Sequence, residues 1–226
     1  MPVRDTTISS AVEDYAKAIY ALEARGAGPV TTNALADRMA VTAASASGMV
    51  RKLAELGLVS HVPYKGVELT ADGMRLALEV LRHHRLLELY LARDLGLPWD
   101  RVHDEAEVLE HVLSEEVEEL IAAKLGNPTR DPHGDPIPTR DLVIEERPTI
   151  SMASLEPGAS GTFARISDSD PAMLRYLADR GIAPGDPFEV IDEQPFDGPL
   201  FARFGDDVHV LGGQLARAMR VEATAP

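Results

Sequence analysis

The sequence predicts a mainly α-helical chain with a C-terminal β domain. Three observations predict it. From Ala11 to Leu125 apolar residues recur at helical spacing in segments closed by Gly26, Gly57, Gly96 and Gly126. Between Leu58 and Thr70 that pattern gives way to two short extended runs around Pro63-Tyr64-Lys65-Gly66. Beyond Gly158 the period becomes two, in short runs separated by Gly-rich turns.

The first helix is expected over residues 11–24, with Val12, Tyr15, Ile19, Tyr20 and Leu22 on its apolar side. Thr31-Thr32-Asn33 offers caps for a short helix through Met39, and Thr42 caps another carrying Met49, Val50, Leu53 and Leu56. A turn of about three residues joins them, the spacing of a helix-turn-helix. The hairpin formed by 58–62 and 67–70 completes a winged helix-turn-helix. A long helix follows from Ala71 to about Leu95. Another starts near Trp99-Asp100 and runs to Leu113, and Ser114 caps a third with Val117, Leu120, Ile121 and Leu125 as its stripe. Glu115, Glu116, Glu118 and Glu119 read as its solvated face. Six prolines from Asn127 through Pro157 mark an extended arm. Strands are expected at 162–166, 188–191, 200–204, 208–211 and 219–222, with one helix over Pro171 to Arg180, in a small β-barrel. The domain division is 1–70, 71–140, a Pro-rich linker at 141–157, and 158–226.

The chain has 226 residues, no Cys and a net charge of −15. The length supports a sizeable core and more than one domain. The absence of Cys excludes disulfides, thiolate zinc sites and Cys nucleophiles. No apolar run reaches the roughly 18 residues of a membrane span, and the first residues lack the apolar core of a signal peptide, so a cytoplasmic location is expected. The charge is uneven. Residues 1–70 carry seven basic and seven acidic residues, whereas 71–140 carry 8 and 15 and 141–226 carry 7 and 15. The N-terminal segment alone can approach a phosphate backbone without strong repulsion.

The chemistry concentrates in His103-Asp104-Glu105-Ala106-Glu107-Val108-Leu109-Glu110-His111. At about 100° per residue, His103, Glu107, Glu110 and His111 project at roughly 0°, 40°, 340° and 80°, on one face of a continuous helix. His84 and Glu88 form a second i,i+4 pair upstream. Imidazole and carboxylate without thiol suit a borderline-to-hard divalent cation. An isolated His-Glu pair is usually a surface pair; four such ligands on one face are not so readily dismissed.

The order of winged helix, inter-helix array, Pro-rich arm and small barrel resembles the diphtheria-toxin-repressor family of metal-dependent transcription regulators. The segments that carry the likeness are Asp14-Tyr15 through Ile19-Tyr20, His83-His84-Arg85-Leu86-Leu87-Glu88, the His103–His111 run, Asp131-Pro132-His133-Gly134-Asp135-Pro136-Ile137-Pro138, and Leu177 through Gly185. The resemblance implies an SH3-like, FeoA-like C-terminal domain and a helical domain for dimerisation and metal binding. It implies a regulatory metal site of Asp14, Glu107, Glu110 and His111, and an ancillary site of His84, Glu88 and His103. Iron-type members carry Met and Cys where Asp14 and Glu107 stand here; manganese-type members carry Asp and Glu. The expected corepressor is therefore Mn(II), two ions per subunit, with Fe(II) or Co(II) as substitutes. Lys17 stands where one manganese-type branch has a ligand Glu. Asp170 stands where iron-type members have a ligand Glu, Met173 replaces their Gln, and Asp168 competes with Asp170 as the ligand from the barrel.

The implied partners are double-stranded operator DNA and a second copy of the chain, with no membrane and no small-molecule substrate. The helix after Thr42 would enter the major groove. Thr42, Ala43, Ala44, Ser45 and Ser47 suit thymine-methyl and phosphate contacts, and Arg51, Lys52, Tyr64 and Lys65 suit phosphate. A metal joining Asp14 to Glu107, Glu110 and His111 would fix the reading helix in a DNA-compatible pose. Two rival classes are a metallohydrolase, which lacks a His-Glu-x-x-His motif or nucleophile elbow here, and a metal-storage module, which would bind metal without affecting DNA. His61, His83, His133 and His209 read as structural or exposed.

Overall fold

The computed structural model describes residues 8–24, 26, 29–62, 66–196 and 198–224, with the backbone alone at Val62. It contains two units. One comprises Met1–His83, Glu110–Leu113 and Pro138–Val143; the other comprises His84–Leu109, Ser114–Ile137 and Ile144–Pro226.

In the first unit, α1 spans Ser10–Glu23, α2 Thr32–Arg38 and α3 Ala43–Glu55. Thr31 caps α2 by accepting from the Ala34 amide at 3.1 Å, and Thr42 caps α3 by accepting from the Ser45 amide at 3.2 Å. Ala40 turns the chain between them at φ 52°. Strands β1 (Val59–Val62) and β2 (Gly66–Leu69) pair antiparallel, and Val30 bridges to Val67 on the other edge of β2. Val12, Ile19, Leu35, Val50, Leu53 and Val67 interlock as one core with Ala77 and Val80 of helix α4 (Ala71–Arg93). Each such buried side chain contributes about 1.5–3 kcal/mol over its exposed state. Gly73 is required at the start of α4. A Cβ there would lie 1.9 Å from the Leu58 carbonyl oxygen, so the helix meets the β1 entry at backbone contact. The first unit is the winged helix-turn-helix that the sequence pattern predicts.

In the second unit, the end of α4 is followed by α5 (Val102–Leu109) and α6 (Glu115–Lys124). α5 stops four residues earlier than expected. Ser114 accepts from the Val117 amide to start α6, so the chain must turn within Glu110–Leu113. Glu110 and His111 therefore leave the helical face that carries His103 and Glu107. On α6, Glu118 is buried, contrary to the solvated face expected of it.

The β domain contains β3 (Ile150–Ser151), a 3₁₀ turn at Met152–Ser154, β4 (Ser160–Arg165), α7 (Pro171–Ala178), β5 (Pro187–Glu193), β6 (Leu200–Phe204), β7 (Asp207–Leu211), α8 (Gly213–Ala218) and β8 (Arg220–Ala223). Its antiparallel sheet runs β3-β8-β4-β5-β6-β7. Register shifts at Phe163/Arg165 and Val190/Asp192 coil it around Met152, Phe163, Leu174, Leu177, Val190, Leu211 and Val221. α8 is an element that the period-two reading missed. Within this unit the arm packs at Asp131, His133, Gly134, Pro136 and Ile137, which are buried. The Ile166 amide donates to the His133 carbonyl at 3.0 Å, and Arg85 donates to the Pro136 carbonyl.

Candidate metal centre

In the first unit α1 presents Glu13, Asp14 and Lys17 within one turn, beside the turn after α5. His111 lies between the two carboxylates. Its Nε2 is 2.9 Å from Asp14 Oδ1 and its Nδ1 is 2.5 Å from Glu13 Oε2. Glu110, fully buried, places Oε1 at 3.6 Å from His111 Nε2 and accepts from Lys17 Nζ at 2.6 Å. The Glu110 carbonyl meets His83 Nδ1 at 3.2 Å, which gives buried His83 a structural role. Asp14, Glu110 and His111 bring one donor atom each within 4.8 Å of one another, close enough to hold a metal ion.

Three of the four residues expected at the regulatory site are thus together. Glu107 lies in the second unit, with Oε1 3.9 Å from His84 Nδ1 and 3.8 Å from His103 Nε2. Glu13 was not anticipated. The periodicity that marks Val12, Tyr15 and Ile19 as core gives no reason to single out a buried acidic neighbour.

The second unit holds a larger polar cluster. His84 Nε2 is 3.1 Å from Glu88 Oε1 and 3.2 Å from His103 Nδ1, and His103 Nδ1 is 2.8 Å from Asp168 Oδ2. His84, Glu88, His103 and Asp168 again bring donor atoms within 4.8 Å. The β-domain residue in this group is Asp168. Asp170 is spent as the N-cap of α7, accepting from the Ala172 and Met173 amides at 2.9 and 3.4 Å.

Glu88 also faces a second set. Its Oε2 lies 3.8 Å from His133 Nδ1, and Glu88, Asp131 and His133 form a fully buried group of the same dimensions. Asp131 and His133 come from the Asp-Pro-His-Gly-Asp-Pro run, a segment that carries the family likeness but gave no ligand by spacing. The available signal was an Asp two residues before a His in a proline-bounded loop; that loop is a turn in which Asp131 Oδ1 accepts from the His133 amide at 2.9 Å.

Electrostatics follow from this crowding. Burial opposes ionisation of Glu88, but the imidazoles of His103, His133 and His84 around it outweigh that cost and hold its pKa well below the ordinary value. The Asp168 carboxylate, and then Glu88, raise His103 to about 10. Burial opposes charge on His133, yet Glu88 and Asp131 raise it to about 9. Burial, then the Glu88 charge, pushes Asp131 up to about 8. Protons and histidinium charges thus serve as the cluster's counterions, in the place a divalent cation could take. The donor sets are carboxylate and imidazole without thiol, a match to a divalent metal that accepts oxygen and nitrogen.

The residues expected to meet DNA fall on one side of α3. Thr42, Ala43, Ala44, Ser45, Ser47, Arg51 and Lys52 are exposed, while Ala46, Val50 and Leu53 are buried beneath them. Tyr64 and Lys65 lie outside the described residues. Among the described residues, no helix is long and apolar enough to cross a membrane.

Comparison with known proteins identifies each region. The N-terminal DNA binding domain of iron dependent repressors matches residues 7–67, their metal binding and dimerisation domain matches 70–139, and the FeoA domain matches 150–223. The iron-dependent repressor IdeR of Mycobacterium leprae is 40% identical over 223 residues, covering 93% of this chain and 96% of its own length. The diphtheria toxin repressor of Corynebacterium diphtheriae is 30% identical over 230 residues, covering 93% and 96%. A solved manganese-dependent transcriptional repressor in complex with manganese superposes with a TM-score of 0.85 at 43% identity, over 94% of this chain and 100% of that one. These relatives are DNA-binding repressors rather than enzymes. The chain belongs to the iron-dependent repressor family, and it is a metal-dependent transcriptional repressor.

Proposed function

We propose that this repressor is activated by Mn(II), two ions per subunit, and acts in the cytoplasm as a homodimer on operator DNA to silence manganese-homeostasis genes. The observation that carries the proposal is the donor set. Asp14, Glu110 and His111 in one group, and His84, Glu88, His103 and Asp168 in the other, offer oxygen and nitrogen only. Such a set removes the soft-ligand preference for thiolate-bound metals. It does not reverse the intrinsic affinity order, so selectivity for Mn(II) rests on coordination number, geometry and supply. The likeness to a manganese-dependent repressor at 43% identity supports the same metal. Iron-dependent relatives at up to 40% identity keep Fe(II) as the second reading. For Glu107 at the regulatory site the support is the sequence resemblance alone.

Metal at the first group ties α1 to the Glu110–His111 turn inside the reading unit. In the metal-free state Glu13, Asp14 and Glu110 place three acidic side chains around His111, and a divalent cation offsets their repulsion. If the pose so fixed is the one that accepts DNA, metal shifts a two-state equilibrium. At 100 times its dissociation constant one such ion contributes about 2.7 kcal/mol. The exposed face of α3 then reads methyl and phosphate groups, with specificity drawn from groove shape and from the spacing of two heads. Val108, Leu109, Val117 and Leu120, exposed on α5 and α6, suit burial against a second copy.

The test is a DNA-binding titration on the chain's own promoter with Mn(II), Fe(II), Co(II), Zn(II) or chelator. Mn(II)-dependent binding is expected, and the double variant Asp14→Met, Glu107→Cys is expected to lose the manganese preference. Equal DNA affinity with and without chelator would overturn metal activation and leave a metal-storage role. Stronger activation by iron at matched free-metal levels would select the Fe(II) reading.

A further inference from the structure

On the metal-responsive reading above, we propose that Lys17 is a built-in counter-cation that sets the metal threshold of the first site. Its ammonium lies 2.6 Å from Glu110 Oε1, the same oxygen that faces His111 Nε2 at 3.6 Å. Lys17 is 14% exposed and Glu110 0%, so water screens the pair little. The side chain comes from α1, one turn after Glu13 and Asp14, so helical geometry holds the ammonium beside the ligands.

In the metal-free protein the ammonium stabilises a buried carboxylate that would otherwise stand among like charges. An incoming divalent cation needs that carboxylate as a ligand. It must draw Glu110 away from Lys17 or bind with a positive charge as neighbour, and either course lowers its affinity. Lys17 is thus a positioning and threshold residue, not a ligand.

The experiment uses the full chain stripped of metal and titrated with Mn(II) alone, followed by calorimetry and by the free-Mn(II) electron paramagnetic resonance signal. The binding phase lost in Asp14→Ala marks the first site. Lys17→Met is expected to tighten that phase about tenfold, the scale of one close charge pair in a partly buried site. It is also expected to lower the melting temperature in chelator and to enlarge the Mn(II)-induced rise. Lys17→Arg, which keeps the charge, is expected to bind as the parent does. Lys17→Gln, which keeps a donor without the charge, gives the same reading should the Met variant not fold. A lowered melting temperature with unchanged Mn(II) affinity would show Lys17 to be purely structural and overturn the inference while leaving the metal-responsive reading intact. Absence of any Asp14-dependent phase in the parent would overturn both.

Discussion

His133 stacks on the indole of Trp99, with ring centroids 5.8 Å apart and planes 19° from parallel, and its Nε2 meets the Trp99 carbonyl oxygen at 2.8 Å. Because Trp99 Nε1 donates to the Leu174 carbonyl at 3.2 Å, one indole links the buried Glu88–Asp131–His133 group to α7 of the β domain. His133→Ala should therefore act twice. It removes a charged imidazole 3.8 Å from the buried Glu88 carboxylate, a loss of about 1–3 kcal/mol in the metal-free protein. It also weakens Mn(II) binding to the second-unit cluster. Thermal melts in chelator and calorimetric titration check the two effects. Unchanged stability would show that Glu88 is satisfied without His133.

Glu13 holds Nδ1 of His111 while Asp14 faces Nε2. Such a carboxylate fixes ring orientation and raises the basicity of a ligating imidazole. Glu13→Gln should lower Mn(II) affinity at the first site by about 10–100-fold with little change in fold, since an amide oxygen can still accept from Nδ1–H but supplies no charge. Calorimetry reads the affinity, and far-ultraviolet circular dichroism verifies the fold. An affinity within twofold of the parent would reduce Glu13 to a packing residue.

The winged helix-turn-helix was legible because its signals are local. Thr31, Thr42 and Ser114 all cap helices where the sequence places them, since a capping hydroxyl acts within three residues of itself. The His-Glu array was legible in composition but not in geometry. Its single-face reading required one helix through His111, and the capped start of α6 ends that helix at Leu109. Spacing does not rank Asp168 against Asp170, and the structure sets Asp168 beside His103 while Asp170 serves as the cap of α7. Asp131 and His133 reach Glu88 through tertiary packing, which depends on Gly134. That residue takes φ +87°, and a Cβ on it would lie 2.0 Å from the Ala164 carbonyl oxygen.

The reading face of α3 gives a prediction that separates affinity from specificity. Arg51 and Lys52 are exposed in its C-terminal half, whereas Ala44 and Ser47 are exposed near its start. Arg51→Ala should weaken binding to all DNA sequences and reduce the slope of log affinity against log salt by about one. Ala44→Glu should abolish operator binding by placing a carboxylate against the duplex, with metal affinity unchanged. Fluorescence anisotropy on specific and scrambled duplexes across a salt series distinguishes the two. An Ala44→Glu variant that still binds operator would move the reading surface off α3.

The histidines of the second-unit cluster give the pH dependence a definite sign. Asp168, then Glu88, raise His103 to about 10 from 6.5, so in the metal-free protein it is protonated at neutral pH. A raised folded-state pKa contributes stability that is complete below 6.5 and is lost as pH climbs through about 10. Metal binding runs the other way, because a ligating imidazole must first give up its proton. Mn(II) affinity at this cluster should rise between pH 6 and 8, by roughly tenfold per unit for each proton displaced, with protons released in proportion. Titrations in buffers of different ionisation enthalpy count those protons directly. His103→Gln should weaken binding and remove its share of the release. A flat affinity across that range, with no protons released, would mean that His103 keeps its ion pair with Asp168 and does not become a ligand.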